Sequence, residues 1–302
     1  MGGPPLLSMK LQGIYPPLTT PFDHNGDIWK VKVEHNIARL NLIGLAGYVV
    51  IGSTGESKLL STGEKIKLWE WVAEFAAPER TLIAGTGLES VRETVALTNR
   101  AAEIGYKVAL VITPHYYKNS FTSADAQKLY FRSVADRVPI PVVIYNFPQN
   151  TGIDIAAEAV AELSHHPNII GIKESSGNLA KVVQMINEVR PGFNVLVGSA
   201  PTFASNLQAG ASGGILAFAN AAPYACLSIY EAHRTREHEA ALDWQRRIAR
   251  PATLVTAKYG IPGLKYAMDL EGYYGGPPRL PLTPPTPQAR KEIEEAFADL
   301  RG

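Results

Sequence analysis

A lysine, a tyrosine and a glycine-rich turn stand out in the 302-residue chain for the chemistry they would permit together. Lys173 lies in Ile169-Ile170-Gly171-Ile172-Lys173-Glu174-Ser175, an apolar, β-branched run with the character of a buried strand. Side chains alternate along a strand, so Gly171, Lys173 and Ser175 share one face and Ile172 and Glu174 the other. Gly171 would leave space around an inward-pointing ammonium. A lysine desolvated there loses part of its preference for charge, and the neutral amine can form an imine with a ketone. The alternative is a lysine ion-paired at a strand end, with Glu174 or Glu56. Tyr145, in Val142-Val143-Ile144-Tyr145-Asn146-Phe147-Pro148, shares its face with Val143 and Phe147. Its phenol could pass protons to and from a departing hydroxyl, or be a buried tyrosine bonded to some backbone group. Gly52-Ser53-Thr54-Gly55-Glu56 can gather successive amides around an anion such as a carboxylate, with two hydroxyls beside it, or be a plain tight turn. Tyr116 and Tyr117, in Thr113-Pro114-His115-Tyr116-Tyr117, suit a proton relay or an interface patch.

Groups so placed need a scaffold that gathers strand ends. Short apolar runs recur at residues 13–22, 47–53, 80–87, 107–114, 141–148, 169–175, 193–200 and 213–218, starting 20 to 34 residues apart. That spacing fits one strand, one helix and two loops per unit, and the near-continuous apolar character fits strands covered on both faces. Helical periodicity is expected between them, over 89–104, 123–136, 155–164 and 179–189. Ser61-Thr62-Gly63-Glu64 has the form of a capping box opening a further helix with apolar Ile66, Leu68, Trp69 and Val72. Eight such units predict an α/β fold, a (β/α)8 TIM barrel, whose active site would lie at the C-terminal ends of the strands. A doubly wound sheet would offer a glycine-rich turn after its first strand, but Thr19-Thr20-Pro21-Phe22-Asp23 has no glycine. The expected organisation is a flexible tail over 1–12, the barrel over 13–236 and a C-terminal helical domain over 237–302. In that last part 240–258 and 288–300 read as helices, joined by Gly260-Ile261-Pro262-Gly263-Leu264-Lys265 and a proline-rich stretch, 277–287.

Composition narrows the function. The 29 lysines and arginines nearly balance 28 aspartates and glutamates, which argues against a nucleic-acid binder. A single cysteine, Cys226, rules out an internal disulfide and suits a reducing compartment. Neither a secretory signal nor an apolar run of about 20 residues is seen, so a cytoplasmic protein without membrane association is expected. None of the seven histidines has a partner at metal-binding spacing, and phosphate-loop and nucleophile-elbow motifs are absent. Gly213-Gly214 fits either a phosphate site or a close backbone approach.

Taken in order, Gly52-Ser53-Thr54-Gly55-Glu56, Tyr145-Asn146-x-Pro148 and Gly-Ile-Lys173-Glu-Ser resemble the dihydrodipicolinate synthase/N-acetylneuraminate lyase superfamily of pyruvate-dependent class I lyases. Pro17-Leu18-Thr19-Thr20-Pro21-Phe22 and Thr113-Pro114-His115-Tyr116-Tyr117 agree. The segment from Gly260 to Lys265, then Met268-Asp269, Gly272-Tyr273-Tyr274-Gly275-Gly276-Pro277, Arg279 and Pro281-Leu282, looks like the 4-hydroxy-2-oxoglutarate aldolases within it. The arginine that binds the second substrate in typical synthases falls at Asn150, and the loop after the seventh strand reads Gly198-Ser199-Ala200, without the acidic residue of many relatives.

The resemblance implies that Lys173 forms an imine with C2 of a 2-oxo acid and that Tyr145 moves protons. It implies that Ser53 links Tyr145 to Tyr116 of a neighbouring subunit in a homo-oligomer, dimer or tetramer. Ser53, Thr54 and Gly55 would hold the C1 carboxylate, Ile215 would pack beside the imine, Ser175 on Lys173's face would be a further substrate contact, and Asn150 and Ser199 would lie toward the distal end of the substrate. No metal or other cofactor is implied. The expected reaction is cleavage of 4-hydroxy-2-oxoglutarate to pyruvate and glyoxylate. Condensation of pyruvate with aspartate semialdehyde, a keto-deoxy sugar acid aldolase or dehydratase, and a non-enzymatic 2-oxo-acid binding protein are the alternatives.

Overall fold

Eight parallel strands close on themselves, each followed by a helix that packs back across the sheet. The structure, a computed structural model, describes residues 9–298 and residue 300. The strands are β1 (Gly13–Ile14), β2 (Gly47–Val50), β3 (Thr81–Gly85), β4 (Val108–Ile112), β5 (Val142–Asn146), β6 (Ile169–Glu174), β7 (Asn194–Val197) and β8 (Gly213–Gly214). Their order is β1-β8-β7-β6-β5-β4-β3-β2, and a parallel bridge from Pro17 to Val49 closes the ring. All eight fall inside the expected runs, so the (β/α)8 barrel is the fold. β1 and β8 keep only two ladder residues each. Pro16, Pro17 and Pro21, which have no N–H to give, end the ladder early in the first run.

The helices of the barrel are α1 (Lys30–Asn41), α2 (Thr62–Phe75), α3 (Val91–Ile104), α4 (Ala124–Ala135), α5 (Ala157–Ser164), α6 (Leu179–Glu188), α7 (Phe203–Gln208) and α8 (Pro223–Arg234). Serine or asparagine side chains start several of them. Ser61 and Glu64 form the reciprocal capping box on α2, and Ser90, Ser123 and Asn178 cap α3, α4 and α6. Two apolar layers result from strand alternation. Val49, Ile83, Leu110, Val143 and Leu196 fill the interior, while Val50, Ala84, Val111, Ile144 and Val197 face the helices.

β6 departs from simple alternation. The register jumps from Val142↔Ile169 to Val143↔Gly171, so one extra residue sits in β6. Ile170 belongs to the interior layer, and Lys173 faces inward above it. Bulges of this kind re-aim side chains next to active sites. Gly213 permits a close backbone approach: a Cβ there would lie 2.2 Å from the Gly13 carbonyl oxygen.

The C-terminal region differs from the expected pair of helices. α9 (His238–Thr253) runs into a π-helical turn (Leu254–Lys258), and α10 (Gly260–Leu270) occupies the stretch read as a joint. Glycine and proline at 260, 262 and 263 mask that helix in the sequence, but Pro262 lies in the first turn, where a missing N–H costs no helical bond. α11 (Pro287–Ala298) follows. Residues 1–8 of the expected tail, and 299 and 301–302 at the other end, lie outside the described residues. Leu11, within that tail, is fully buried and donates its N–H to Asn194 Oδ1 at 2.8 Å. Among the described residues no helix is long and apolar enough to cross a membrane.

Candidate active site

The ends of β2, β5, β6, β7 and β8 open into one pocket of about 540 Å³, walled on the remaining side by the π-helical turn and the start of α10. Lys173 enters it from β6, directly opposite Tyr145 on β5, and is 4% exposed. Its Nζ lies 4.1 Å from the centroid of the Tyr145 ring. Neither expected carboxylate pairs with it. Glu174 faces the helices, accepting from Asn146 Nδ2 at 2.8 Å and the Ser176 N–H at 2.6 Å, with Lys181 at 3.5 Å. Glu56 is held by Lys265 at 2.6 Å. Stripped of water and without a counter-ion among the described residues, the Lys173 ammonium is disfavoured, and burial pulls its pKa down to about 7. The Tyr145 π face offsets only part of that penalty.

The space around this lysine does not come from Gly171. A Cβ on Gly171 would meet the Asn194 carbonyl oxygen at 2.6 Å, so that glycine serves the close approach of β7 at the bulge. Gly198 leaves the room. A Cβ there would lie 3.3 Å from Lys173 Cε and 2.0 Å from Ser175 Oγ.

Tyr145 is buried, its ring stacked on Phe147 at 5.8 Å between centroids. Its hydroxyl donates to Ser53 Oγ over a long 3.5 Å. Burial raises its pKa to about 12, and the hydroxyls of Ser53 and Ser175 hold it back only partly. The phenol therefore carries its proton at neutral pH. Ile51, a β-branched residue at φ 66°, turns the chain sharply at the end of β2 and sends Gly52–Thr54 across the mouth. That turn fits because residue 85 is glycine, whose Cβ would fall 2.2 Å from the Ile51 oxygen. The N–H groups of Ser53 and Thr54 find no acceptor among the described residues, and both residues line the pocket. Gly55 does not line it. Its N–H donates to the Gly52 carbonyl at 3.1 Å and its own carbonyl accepts from Thr20 Oγ1 at 2.7 Å, so it shapes the turn.

The remaining expected residues divide. Ile215, fully buried, lines the pocket with Lys173, Ser175 lies at the base beside Tyr145 and Lys173, and Ser199 and Asn150 also line it. Ser199 is oriented by a relay. Asn206 Nδ2 donates to Thr202 Oγ1, and Thr202 Oγ1 donates to Ser199 Oγ, both at 3.0 Å. Ser199 thus keeps its own proton to donate into the pocket. Tyr116 is 78% exposed, packed edge-on against Tyr117, and reaches no group of this pocket within the chain. The outer wall of Val255, Thr256, Ile261 and Leu264 was not legible as part of the site. Its one signal is the irregular helix, with Pro251 inside α9 and a π turn after it, a feature that recurs at functional sites. Among the described residues, Lys173 is the one charged residue that lines the pocket. Among the described residues no three histidine, cysteine or acidic side chains group to hold a metal.

Residues 10–300 match the model of the dihydrodipicolinate synthetase family. A protein of Emericella nidulans named "Probable 4-hydroxy-2-oxoglutarate aldolase, mitochondrial" is 36% identical over 292 residues, covering 95% of this chain and 94% of its own. A 4-hydroxy-tetrahydrodipicolinate synthase of Exiguobacterium sp. is 32% identical, covering 94% of this chain and 96% of its own. The chloride-inhibited dihydrodipicolinate synthase of Acinetobacter baumannii, solved in complex with pyruvate, superposes with a TM-score of 0.91 at 28% identity, over 95% of this chain and 98% of that one.

Proposed function

The chain belongs to the dihydrodipicolinate synthetase family, and from that premise we propose that it is a class I aldolase cleaving 4-hydroxy-2-oxoglutarate to pyruvate and glyoxylate. One observation carries the imine chemistry: a buried lysine with no counter-ion among the described residues, held against a protonated phenol at the base of a pocket. The neutral Lys173 amine adds to C2 of the 2-oxo acid, and loss of water leaves a protonated imine. Tyr145 returns its proton to the departing hydroxyl and, as phenolate, takes the C4 hydroxyl proton. The C3–C4 bond then breaks, its electron pair passing into the imine to give an enamine while glyoxylate leaves. Protonation at C3 and hydrolysis release pyruvate. The Ser53 and Thr54 amides and hydroxyls suit the C1 carboxylate, and Ser53 passes protons outward from Tyr145.

The distal lining supports a short 4-hydroxy-2-oxo diacid. The hydroxyl of Ser199 and the amide of Asn150 can donate to a second carboxylate. Condensation with aspartate semialdehyde is the second reading, favoured by the synthase names among the relatives. Supplying glyoxylate, aspartate semialdehyde and glyceraldehyde in turn with pyruvate, and following pyruvate consumption, tests the choice. A preference for glyoxylate is expected; a preference for the semialdehyde would replace the first reading with the second.

The active form is proposed to be a homo-oligomer in which Tyr116 of a second copy approaches Ser53, because this exposed tyrosine finds no partner in the pocket of its own chain. Sedimentation of the active protein tests it: full activity in a monomer would remove the relay. The lone buried thiol of Cys226 suits a reducing compartment, and the cytoplasm is the proposed location.

A further inference from the structure

We propose that Lys265 and Glu56 act as positioning residues that hold the carboxylate-binding turn from the C-terminal region, so that substrate binding depends on a buried ion pair outside the pocket. The inference rests on the reading of Ser53 and Thr54 as the carboxylate site. Glu56 follows that turn directly, in Gly52-Ser53-Thr54-Gly55-Glu56. Its backbone sits at φ 56°, in the left-handed region where glycine or asparagine is at ease. A glutamate kept at such a position is doing something its backbone does not favour.

Its side chain explains the exception. Glu56 is 3% exposed and Lys265 on α10 is 1% exposed, with Nζ 2.6 Å from Oε1. Lys265 Nζ also donates to the Pro277 carbonyl at 3.0 Å and lies 4.5 Å from the centre of the Phe22 ring. The other carboxylate oxygen accepts from the backbone N–H of Arg279 at 2.8 Å. Arg279 continues the tie through Glu64, the capping residue of α2, and the carbonyls of Gly26 and Leu59. Two cations and two anions balance, and none of the four lines the pocket. The chain after α10 approaches Lys265 closely here: a Cβ on Gly275 would fall 1.9 Å from the Lys265 oxygen. With Thr20 pinning the Gly55 carbonyl from one side, the pair pins the turn from the other. Because the amides of Ser53 and Thr54 must converge on one carboxylate, a small rotation of the turn weakens binding of the 2-oxo acid and leaves the Lys173 amine as it was.

Borohydride trapping of the full-length protein with pyruvate, titrated in pyruvate and read by intact mass, tests this in Glu56→Gln, Lys265→Met and the double variant. The double variant removes both buried charges and keeps the volumes similar, which protects folding. In folded variants the pyruvate concentration for half-maximal trapping should rise at least about 10-fold while the saturated trapping rate stays within about 3-fold. Half-saturation unchanged in any variant with a native melting profile would overturn the proposal. So would failure of all three to fold, which would assign the pair to stability alone. Absence of trapping in the wild-type protein would instead overturn the imine reading on which the proposal rests.

Discussion

Lys173 and Tyr145 are register partners on adjacent strands, β6 and β5, and the lysine nitrogen lies 4.1 Å from the centre of the tyrosine ring. The pair places a group able to lose a proton near neutrality beside one that keeps its own, both at the base of one pocket. Desolvation moves the two in opposite directions, the lysine down to about 7 and the phenol up to about 12. One physical cause thereby equips a nucleophile and an acid.

Loss of the amine should abolish covalent chemistry. Lys173→Ala is expected to give no adduct with pyruvate and borohydride, and no turnover. Tyr145→Phe should still be trapped, with turnover reduced by about 100- to 10,000-fold. Substantial turnover by the alanine variant would be incompatible with an imine.

The pH dependence follows from the sign of the lysine shift. The free amine accumulates as pH rises through about 7, so kcat/KM should climb on a limb centred there. A flat profile between pH 6 and 8 would contradict it.

Stability should rise with pH in the same sense. The folded pKa of Lys173 lies below its ordinary value of 10.5, so below about 7 the fold carries a buried charge at full cost. That cost fades as pH rises toward 10.5. Lys173→Met should therefore melt about 2–5 °C above the wild-type protein at pH 6 and lose most of this advantage by pH 10. Calorimetry at the two pH values decides it; an advantage that grows with pH would refute the buried-charge argument.

Gly198 should tolerate no side chain. Gly198→Ala would drive a methyl into Ser175 Oγ and crowd Lys173 Cε, so kcat/KM should fall about 100-fold with the circular dichroism spectrum retained. Kinetics within about 3-fold of wild type would show that the β6 end yields freely.

Ser199 should act on the distal carboxylate alone. Ser199→Ala is expected to raise KM for 4-hydroxy-2-oxoglutarate by about 10-fold, the worth of one hydrogen bond to a charged group, while pyruvate trapping is unchanged. Equal losses for both ligands would place its role elsewhere.

Much of this was legible in the residues. Continuous apolar runs mark strands buried on both faces, so all eight were visible, and alternation put Lys173 and Ser175 on one face. The bulge was not visible, because register is settled between strands and nothing in Ile169-Ile170-Gly171 announces an extra residue. α10 was hidden by its glycines and proline, since local propensity argues against a helix that packing against α11 and the barrel supports. Gly171 was credited with space that Gly198, 27 residues further on, leaves.

What the sequence determined by itself was the pattern: alternating units, a polar group at each relevant strand end, and a lysine in an apolar run. Periodicity and residue chemistry are local properties, and a single chain carries them openly. Which carboxylate pairs with which lysine was decided only by the tertiary structure. Glu56 was a candidate partner for Lys173 and belongs to Lys265, 209 positions away, because α10 packs against the turn after β2 and leaves Lys173 without a carboxylate among the described residues. A pKa shift depends on such an absence of neighbours, and that is a property of the packed molecule.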